Sequence, residues 1–285
     1  MPARLFVALQ HLLPRYAMTR LVHRLARIRT RAVKDFLIRA FVRLYDVNLD
    51  EAAGHTPFDY ASLNDFFTRE LVPGMRPVDA APAAIVSPVD GIVSAAGRID
   101  DNLVFQAKGI ACTLEELLAV DLDEARAYRD GSYATLYLAP HMYHRVHMPV
   151  DGELVAAHYV PGDLFSVNAA TVARLNGLFR RNERLNLHFR SAHGPMAVIL
   201  VGALNVGSIT TPWTGEIRPA RRGVVEVREL GPAPRRLARG DLLGWFNMGS
   251  TVIVLLPPGV AEWSPELTAR QATRMGNTIG RLTGA

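Results

Sequence analysis

The chain has a single cysteine, Cys112, in 285 residues. No internal disulfide framework can form, which suits a reducing compartment. Long apolar runs are also missing. The longest uncharged run near the N-terminus, Leu5 to Pro14, contains Gln10 and His11 and is too short to span a bilayer. It also lacks the small-residue cleavage site of a secretory signal. Acid is scarce at one end. Residues 1–45 hold ten Arg and Lys against one acid, Asp35, a charge of +9. The whole chain carries +5, so the remainder carries −4 (+5 less +9). A mildly acidic body thus follows a strongly basic arm, and such an arm attracts the phosphates of nucleic acid or of lipid.

The pattern of the arm favours lipid over nucleic acid. Leu21, Val22, Leu25 and Ile28 recur at helical spacing, with Arg20, Arg24, Arg27 and Arg31 as a companion stripe. The next segment repeats the design, with Phe36, Leu37, Phe41 and Leu44 against Lys34, Arg39 and Arg43. Basic helices with bulky apolar faces read as membrane-surface helices. The alternative is an amphipathic arm packed on its own domain with its arginines solvated. The expectation is a protein made in the cytoplasm and resting on a membrane face.

Beyond the arm, "ASLNDFFTREL" reads as a short helix capped by Ser62. A Pro/Gly connector, "VPGMRPVDAAPAA", puts a boundary near Val72 and divides the chain into 1–72 and 73–285. Short apolar runs bounded by Gly, Pro and Asp then dominate, among them "GIVSAAG", "SYATLYLAP", "GELVAAHYV", "RLNLHFRS", "MAVILVGALNVGSI" and "STVIVLLPP". These are strand signals. "TLEELLAVD" and "AATVARLNGLFRR" read as helical inserts. The fold class is therefore α+β: a β-rich domain of short strands with helical inserts, preceded by basic amphipathic helices. One weak repeat stands out, Pro-Val-Asp-Gly at 88–91 and again at 149–152, each before a strand. This is turn chemistry, and the two aspartates, Asp90 and Asp151, need not share a role.

Chemistry concentrates in two stretches. "APHMYHRVHMPVDG" holds His141, His144 and His147. No other His, Cys or Glu cluster has ligand spacing, so acid–base work near neutral pH is preferred to a metal site. "NMGST" places Gly249 and Ser250 against an apolar β-branched run. A Ser/His/Asp hydrolase would use Ser250 with one of these histidines and Asp90 or Asp151. The nucleophile elbow of α/β-hydrolases needs a glycine two residues after the serine and a helix beyond it. Here Val252 occupies that place and a strand pattern follows. The glycine before the serine suits different chemistry. If Ser250 attacks the carbonyl of its own preceding residue, the peptide bond becomes an ester. Glycine tolerates the twisted backbone this requires. Elimination then cuts the chain and leaves residue 250 as dehydroalanine, which hydrolyses to a pyruvoyl group.

"SPVDG" at 87–91, "YHRVHMPVDG" at 143–152 and "NMGST" at 247–251 occur together in the order and spacing of the phosphatidylserine decarboxylases. "PGDLFSVN" at 161–168, "ARGDLLGWF" and the basic N-terminal helices agree, so the chain resembles the bacterial type over nearly its whole length. The family's cut-site motif is Leu-Gly-Ser-Thr; Met248 replaces the leucine at similar volume. The resemblance implies self-cleavage by Asp90, His147 and Ser250 into a β chain, 1–249, and an α chain, 250–285. It implies a covalent pyruvoyl cofactor at 250, forming a Schiff base with phosphatidylserine, and a part for His144 in the decarboxylation. It suggests Ser166 and Asn168 as donors to the substrate's phosphate region. It further implies an anionic membrane surface as partner, the cytoplasmic face of a bacterial inner membrane as location, and allows a homo-oligomer. No metal is expected. Two other readings compete: the Ser/His/Asp lipid hydrolase, and a carrier-like barrel on a membrane anchor, which the lack of lysine in either Pro-Val-Asp-Gly tip disfavours.

Overall fold

The computed structural model describes residues 3–54, 56–107, 110–205, 208–220 and 223–283. The body is built on a large sheet of nine antiparallel strands. Its order runs Glu226–Val227, Gly152–Val160, Arg184–Ser191, Gly194–Val201, Thr251–Leu256, Ser132–Tyr137, Gly91–Arg98 and Ala272–Thr273, with Arg236–Leu237 beside Gly152–Val160. The segment "TVIVLL" sits in the middle. All six of its residues are buried, and it pairs on both sides, with Thr251 opposite Val201 and Tyr137. A β-branched run without polar alternation suits a strand covered on both faces. A second sheet orders Gly215–Ile217, Ile209–Thr211, Leu242–Phe246 and Arg145–His147. Among the described residues the sheets are open and form no closed barrel of the carrier type.

The fold class is α+β, as the sequence pattern predicts, with two refinements. The insert expected as one helix over 169–181 is two short helices, Ala169–Val172 and Leu178–Arg181. Gly177 between them has φ +62, which a continuing right-handed helix excludes. The buried Gln106 amide serves both ends. It donates to the carbonyls of Val172 and Leu175 and accepts from the Leu178 N–H at 2.8 Å. The second refinement is a hairpin, Leu103–Ala107 with Ile110–Thr113, that the sequence reading does not anticipate.

The arm comprises α1 (Ala3–Leu12), α2 (Arg15–Ala26) and α3 (Arg31–Tyr45), followed by α4 (Leu63–Phe67). Pro14 separates α1 from α2, and Ser62 caps α4 by accepting from the Asp65 N–H. A small core of Ala26, Ile38, Phe41, Val47, Leu63, Phe66 and Phe67 holds α2, α3 and α4 together. Several of the arm's contacts with the body are polar. Buried Gln10 donates to Thr171 and accepts from the Ser166 N–H at 2.8 Å. Arg15 pairs with Asp163 at 2.8 Å, Tyr16 donates to the Gly162 carbonyl, and Thr19 accepts from the Asn205 N–H. Large apolar side chains point outward instead: Leu12 is 81% exposed, Phe36 66% and Leu44 74%. The arm thus packs on its own body and still presents an apolar face. Some members of the expected stripes leave them, Lys34 among them through its pair with Asp35 at 2.7 Å. Phe41 is buried in the small core, and Arg27 pairs with Glu216.

Glu183 lies beneath the 161–168 loop, which the Asn182 amide pins by bonds to both the N–H and carbonyl of Phe165. It is 1% exposed, accepts from the Tyr159 hydroxyl at 2.8 Å, and burial pushes its carboxyl up to about 8. The folded chain therefore keeps Glu183 protonated where the unfolded chain, near 4.5, ionises it. The stabilisation is complete below the unfolded value and is lost as pH rises towards the folded one, at about 1.4 kcal/mol per pH unit. Urea unfolding at several pH values between 4.5 and about 8 should show this slope. In Glu183→Gln the slope should be smaller by that amount; equal slopes would place the titration elsewhere.

Candidate active site

Residues 247–250 carry the chain from the second sheet into the centre of the first, between Leu242–Phe246 and Thr251–Leu256. Both sides of this crossing are clamped. Asn247 Nδ2 donates to Ser208 at 2.8 Å and to Thr210 at 2.9 Å, while its Oδ1 accepts from Asn64 of α4 at 3.0 Å. On the other side the Ser250 carbonyl accepts from the Leu138 N–H at 2.8 Å. Between the clamps the backbone turns through φ +96 at Met248 and +26 at Gly249. A side chain at such a φ costs on the order of 1–3 kcal/mol. The Met248 side chain packs against the small core of the arm, which helps to hold it there. The Ser250 hydroxyl that follows is fully buried and has no hydrogen-bond partner among the described residues. A dry, unpaired hydroxyl costs about 1–3 kcal/mol.

His144 flanks this unit. Its Nε2 lies 3.5 Å from where a Cβ on Gly249 would project. Its Nδ1 is 2.8 Å from the Met142 carbonyl. A carbonyl only accepts, so Nδ1 carries the hydrogen and Nε2 presents a lone pair. Burial pushes the imidazole down to about 3, Nε2 is buried without a partner, and the Phe67 ring of α4 lies 4.0 Å away. His144 is therefore a neutral, desolvated imidazole beside Gly249.

Asp90 and His147 share a second neighbourhood, created by the repeated motif. The two Pro-Val-Asp-Gly turns cross. The His147 N–H donates to the Pro88 carbonyl at 2.8 Å, and the Val86 N–H donates to the Pro149 carbonyl at 3.0 Å. Each donor stands two residues before one proline and bonds the other. The aspartates differ in their partners: Asp151 accepts from the Arg239 N–H, whereas Asp90 binds Arg76. Arg76 bridges Asp90 at 2.5 Å and Glu51 at 2.6 Å, and the Met275 N–H completes the shell of Asp90. The Arg76 bond holds the Glu51 carboxyl below its usual range. His147 Nδ1 lies 2.8 Å from the Gly240 carbonyl, and its Nε2 accepts from the Tyr143 hydroxyl at 3.0 Å. No hydrogen bond links Asp90, His147 and Ser250 among the described residues.

Ser166 and Asn168 line a cavity of about 460 Å³ together with Met248 and Gly249. The arm supplies Val22, Phe41 and Tyr45 to its wall. Asn168 Oδ1 caps the helix Ala169–Val172, accepting from the Thr171 N–H at 3.0 Å. Ser166 Oγ accepts weakly from the Asn168 N–H at 3.4 Å. His141 is exposed and stands apart from the other two histidines in role, its carbonyl accepting from Arg69. Among the described residues no three His, Cys, Asp or Glu side chains group as a metal site. Sequence reasoning missed Arg76, Tyr143 and Phe67. Arg76 sits in a Pro/Gly connector without periodicity, so only its tertiary partners single it out.

A family model described as phosphatidylserine decarboxylase matches residues 63–281, and a second, described as PSD, matches residues 5–46. The chain is 47% identical over 280 residues to the phosphatidylserine decarboxylase proenzyme of Methylococcus capsulatus, covering 98% of this chain and 97% of that one. It is 45% identical over 278 residues to the protein of the same name from Saccharophagus degradans, at 98% and 97% coverage. The proenzyme of Chromobacterium violaceum is 46% identical over 280 residues, at 98% and 99% coverage.

Arg76→Met would leave two carboxylates together with no guanidinium between them. Losing one partner of a buried ionic cluster costs about 3–5 kcal/mol, and Arg76→Lys, which keeps the charge without the fork, should cost less. Urea unfolding of both variants in a Ser250→Ala background, which keeps the chain in one piece, checks the order.

Proposed function

The chain belongs to the phosphatidylserine decarboxylase family, and from that membership we propose that it decarboxylates phosphatidylserine to phosphatidylethanolamine through a pyruvoyl group made from its own Ser250. One observation carries this reading: a strained Met248–Gly249 backbone delivers a buried, unpartnered Ser250 hydroxyl beside a cavity. A twisted, desolvated peptide is poorly stabilised by resonance and hydration, so conversion to an ester relieves strain. A base takes the Ser250 hydroxyl proton as Oγ bonds the Gly249 carbonyl carbon, and the C–N bond breaks to give the ester as that proton passes to the departing Ser250 nitrogen. Loss of the residue-250 Cα proton with cleavage of its Cβ–Oγ bond then frees the Gly249 carboxylate. Water hydrolyses the dehydroalanine left at 250, releasing ammonia and leaving a carbonyl at the new terminus of chain 250–285, with 1–249 as its partner. That carbonyl supplies an acceptor for the substrate amine and for the electrons released with CO2.

The remaining work falls to side chains. In this reading Asp90 and His147 serve Ser250 before the cut, after His147 exchanges the Tyr143 hydroxyl for that of Ser250. His144 then carries the proton to the substrate carbon. A second assignment of the base is favoured by a specific observation, since His144 already offers a free Nε2 beside Gly249. Ser166 and the Asn168 amide nitrogen are the proposed donors to the substrate phosphate. The apolar wall of Val22, Phe41, Phe67 and Leu138 favours loss of charge from a carboxylate. The serine hydrolase reading is less well supported, because Ser250 is fully buried at the head of a central strand with no helix behind it.

We place the arm on the membrane, as a peripheral attachment to the cytoplasmic face of a bacterial inner membrane. No helix among the described residues is long and apolar enough to cross. The outward Leu12, Leu21, Phe36 and Leu44 support insertion to interfacial depth, with the cavity opening beside α2 and α3.

Intact mass under denaturing conditions should show two chains divided between Gly249 and Ser250, the second blocked by a borohydride-reducible carbonyl. Ser250→Ala should stay whole and inactive, and a single full-length mass for active wild-type protein would sink the pyruvoyl reading. A gel and a CO2-release assay on the same preparations separate the histidines. His147→Ala and Asp90→Ala should accumulate precursor. His144→Ala should cut yet lose about 10²–10⁴-fold in turnover; if it stays whole while His147→Ala cuts, His144 is the base for self-cleavage. Replacing Leu12, Leu21, Phe36 and Leu44 by Gln should abolish flotation with vesicles while leaving the cut unchanged, and undiminished flotation would remove the arm from the membrane.

A further inference from the structure

Helix α2 separates two cavities. Val22 faces the one that reaches Gly249. Thr19, Arg20, His23, Arg24 and Arg27 line another, of about 520 Å³, which Arg218 closes from the body. Four guanidiniums therefore converge on a space the proposed reaction does not use. One acid bonds them, and Asp65 of α4 acts on Arg27 from farther off. Glu216 bonds Arg27 at 2.7 Å and His23 at 3.0 Å and lies 3.7 Å from Arg218. Arg20 and Arg24 form no ion pair among the described residues, and Arg27 Nη1 is buried without a partner. Four cations against Glu216 and the more distant Asp65 leave the pocket net positive, with guanidinium forks shaped for a tetrahedral oxyanion.

The surroundings indicate where that anion comes from. Leu21 and Leu25, one residue on from Arg20 and Arg24, are 57% and 42% exposed. An apolar rim beside a cationic pocket fits a bilayer surface, where leucines reach the acyl boundary and arginines stay among headgroup phosphates. We propose that this pocket is a second, non-catalytic phosphate site that holds the headgroup of an anionic phospholipid other than the substrate. Its occupant would steady α2 against the body, because Thr19 on the same helix accepts from the Asn205 N–H and Asn205 lines the Gly249 cavity. The site holds a lipid that is not consumed next to one that is.

The test needs no catalysis and stands whether or not the chain cuts itself. Binding of submicellar dihexanoyl-phosphatidylglycerol to the full chain is measured by calorimetry, with dihexanoyl-phosphatidylcholine and inorganic phosphate as comparisons. Arg20→Gln/Arg24→Gln should weaken phosphatidylglycerol binding about tenfold or more, as expected for losing charge-assisted bonds. Arg29→Gln/Arg43→Gln removes the same charge from exposed arm positions outside the pocket and should change binding by no more than about twofold. Equal losses in the two double variants would mean a diffuse basic field and overturn the site. Unchanged binding in Arg20→Gln/Arg24→Gln would also overturn it. Inorganic phosphate binding as tightly as phosphatidylglycerol, with the same sensitivity to Arg20 and Arg24, would keep the phosphate site and overturn its assignment to a lipid.

Discussion

Burial of Thr251–Leu256 at the centre of a nine-stranded sheet is the constraint on which the rest of the molecule hangs. A strand paired on both edges and covered on both faces cannot shift register without moving its whole side-chain set. Its first residue is therefore fixed, and Ser250 is fixed with it. The hydroxyl arrives dry because the strand is interior. The preceding backbone is forced through unfavourable angles because the chain must leave the second sheet within four residues. A well-packed body is thereby able to hold a local conformation that would relax in isolation.

The arm is part of this arrangement. Its small core receives Met248, its helix α4 sends Asn64 to Asn247 and Phe67 to the face of His144, and α2 and α3 wall the cavity. It buries polar as well as apolar groups against its neighbours. Gln10 and Thr19 are buried against the body while leucines face outward. In water this exposes apolar area without return, whereas at a bilayer the same area becomes a binding surface. The amphipathic spacing in the sequence is compatible with either arrangement, since periodicity identifies an apolar face but not what covers it.

The crossed turns explain how a weak repeat matters. Two backbone hydrogen bonds cross between the segments of two four-residue motifs some sixty positions apart (88–91 and 149–152), and they hold the Asp90 turn beside His147. The environments then diverge. Arg76, arriving from the connector, takes Asp90 and leaves Asp151 to a backbone N–H.

Much of this protein is legible in short windows of its sequence. The strands follow from β-branched runs between Gly, Pro and Asp, the cap of α4 from Ser62, the freedom before the serine from Gly249, and the family from three motifs in order. These depend on neighbours within a few residues, where backbone propensity and turn chemistry act. Other features were beyond such windows. The break at Gly177 needed the Gln106 amide from a distant hairpin to hold both helix ends. The tautomer of His144, the capture of Asp90 by Arg76, the pairing of Arg27 with Glu216 and the basic pocket beneath α2 depend on groups far apart in the chain. Tertiary packing decided them, because hydrogen bonds, desolvation and Coulomb forces act over ångströms in space and are indifferent to separation along the chain.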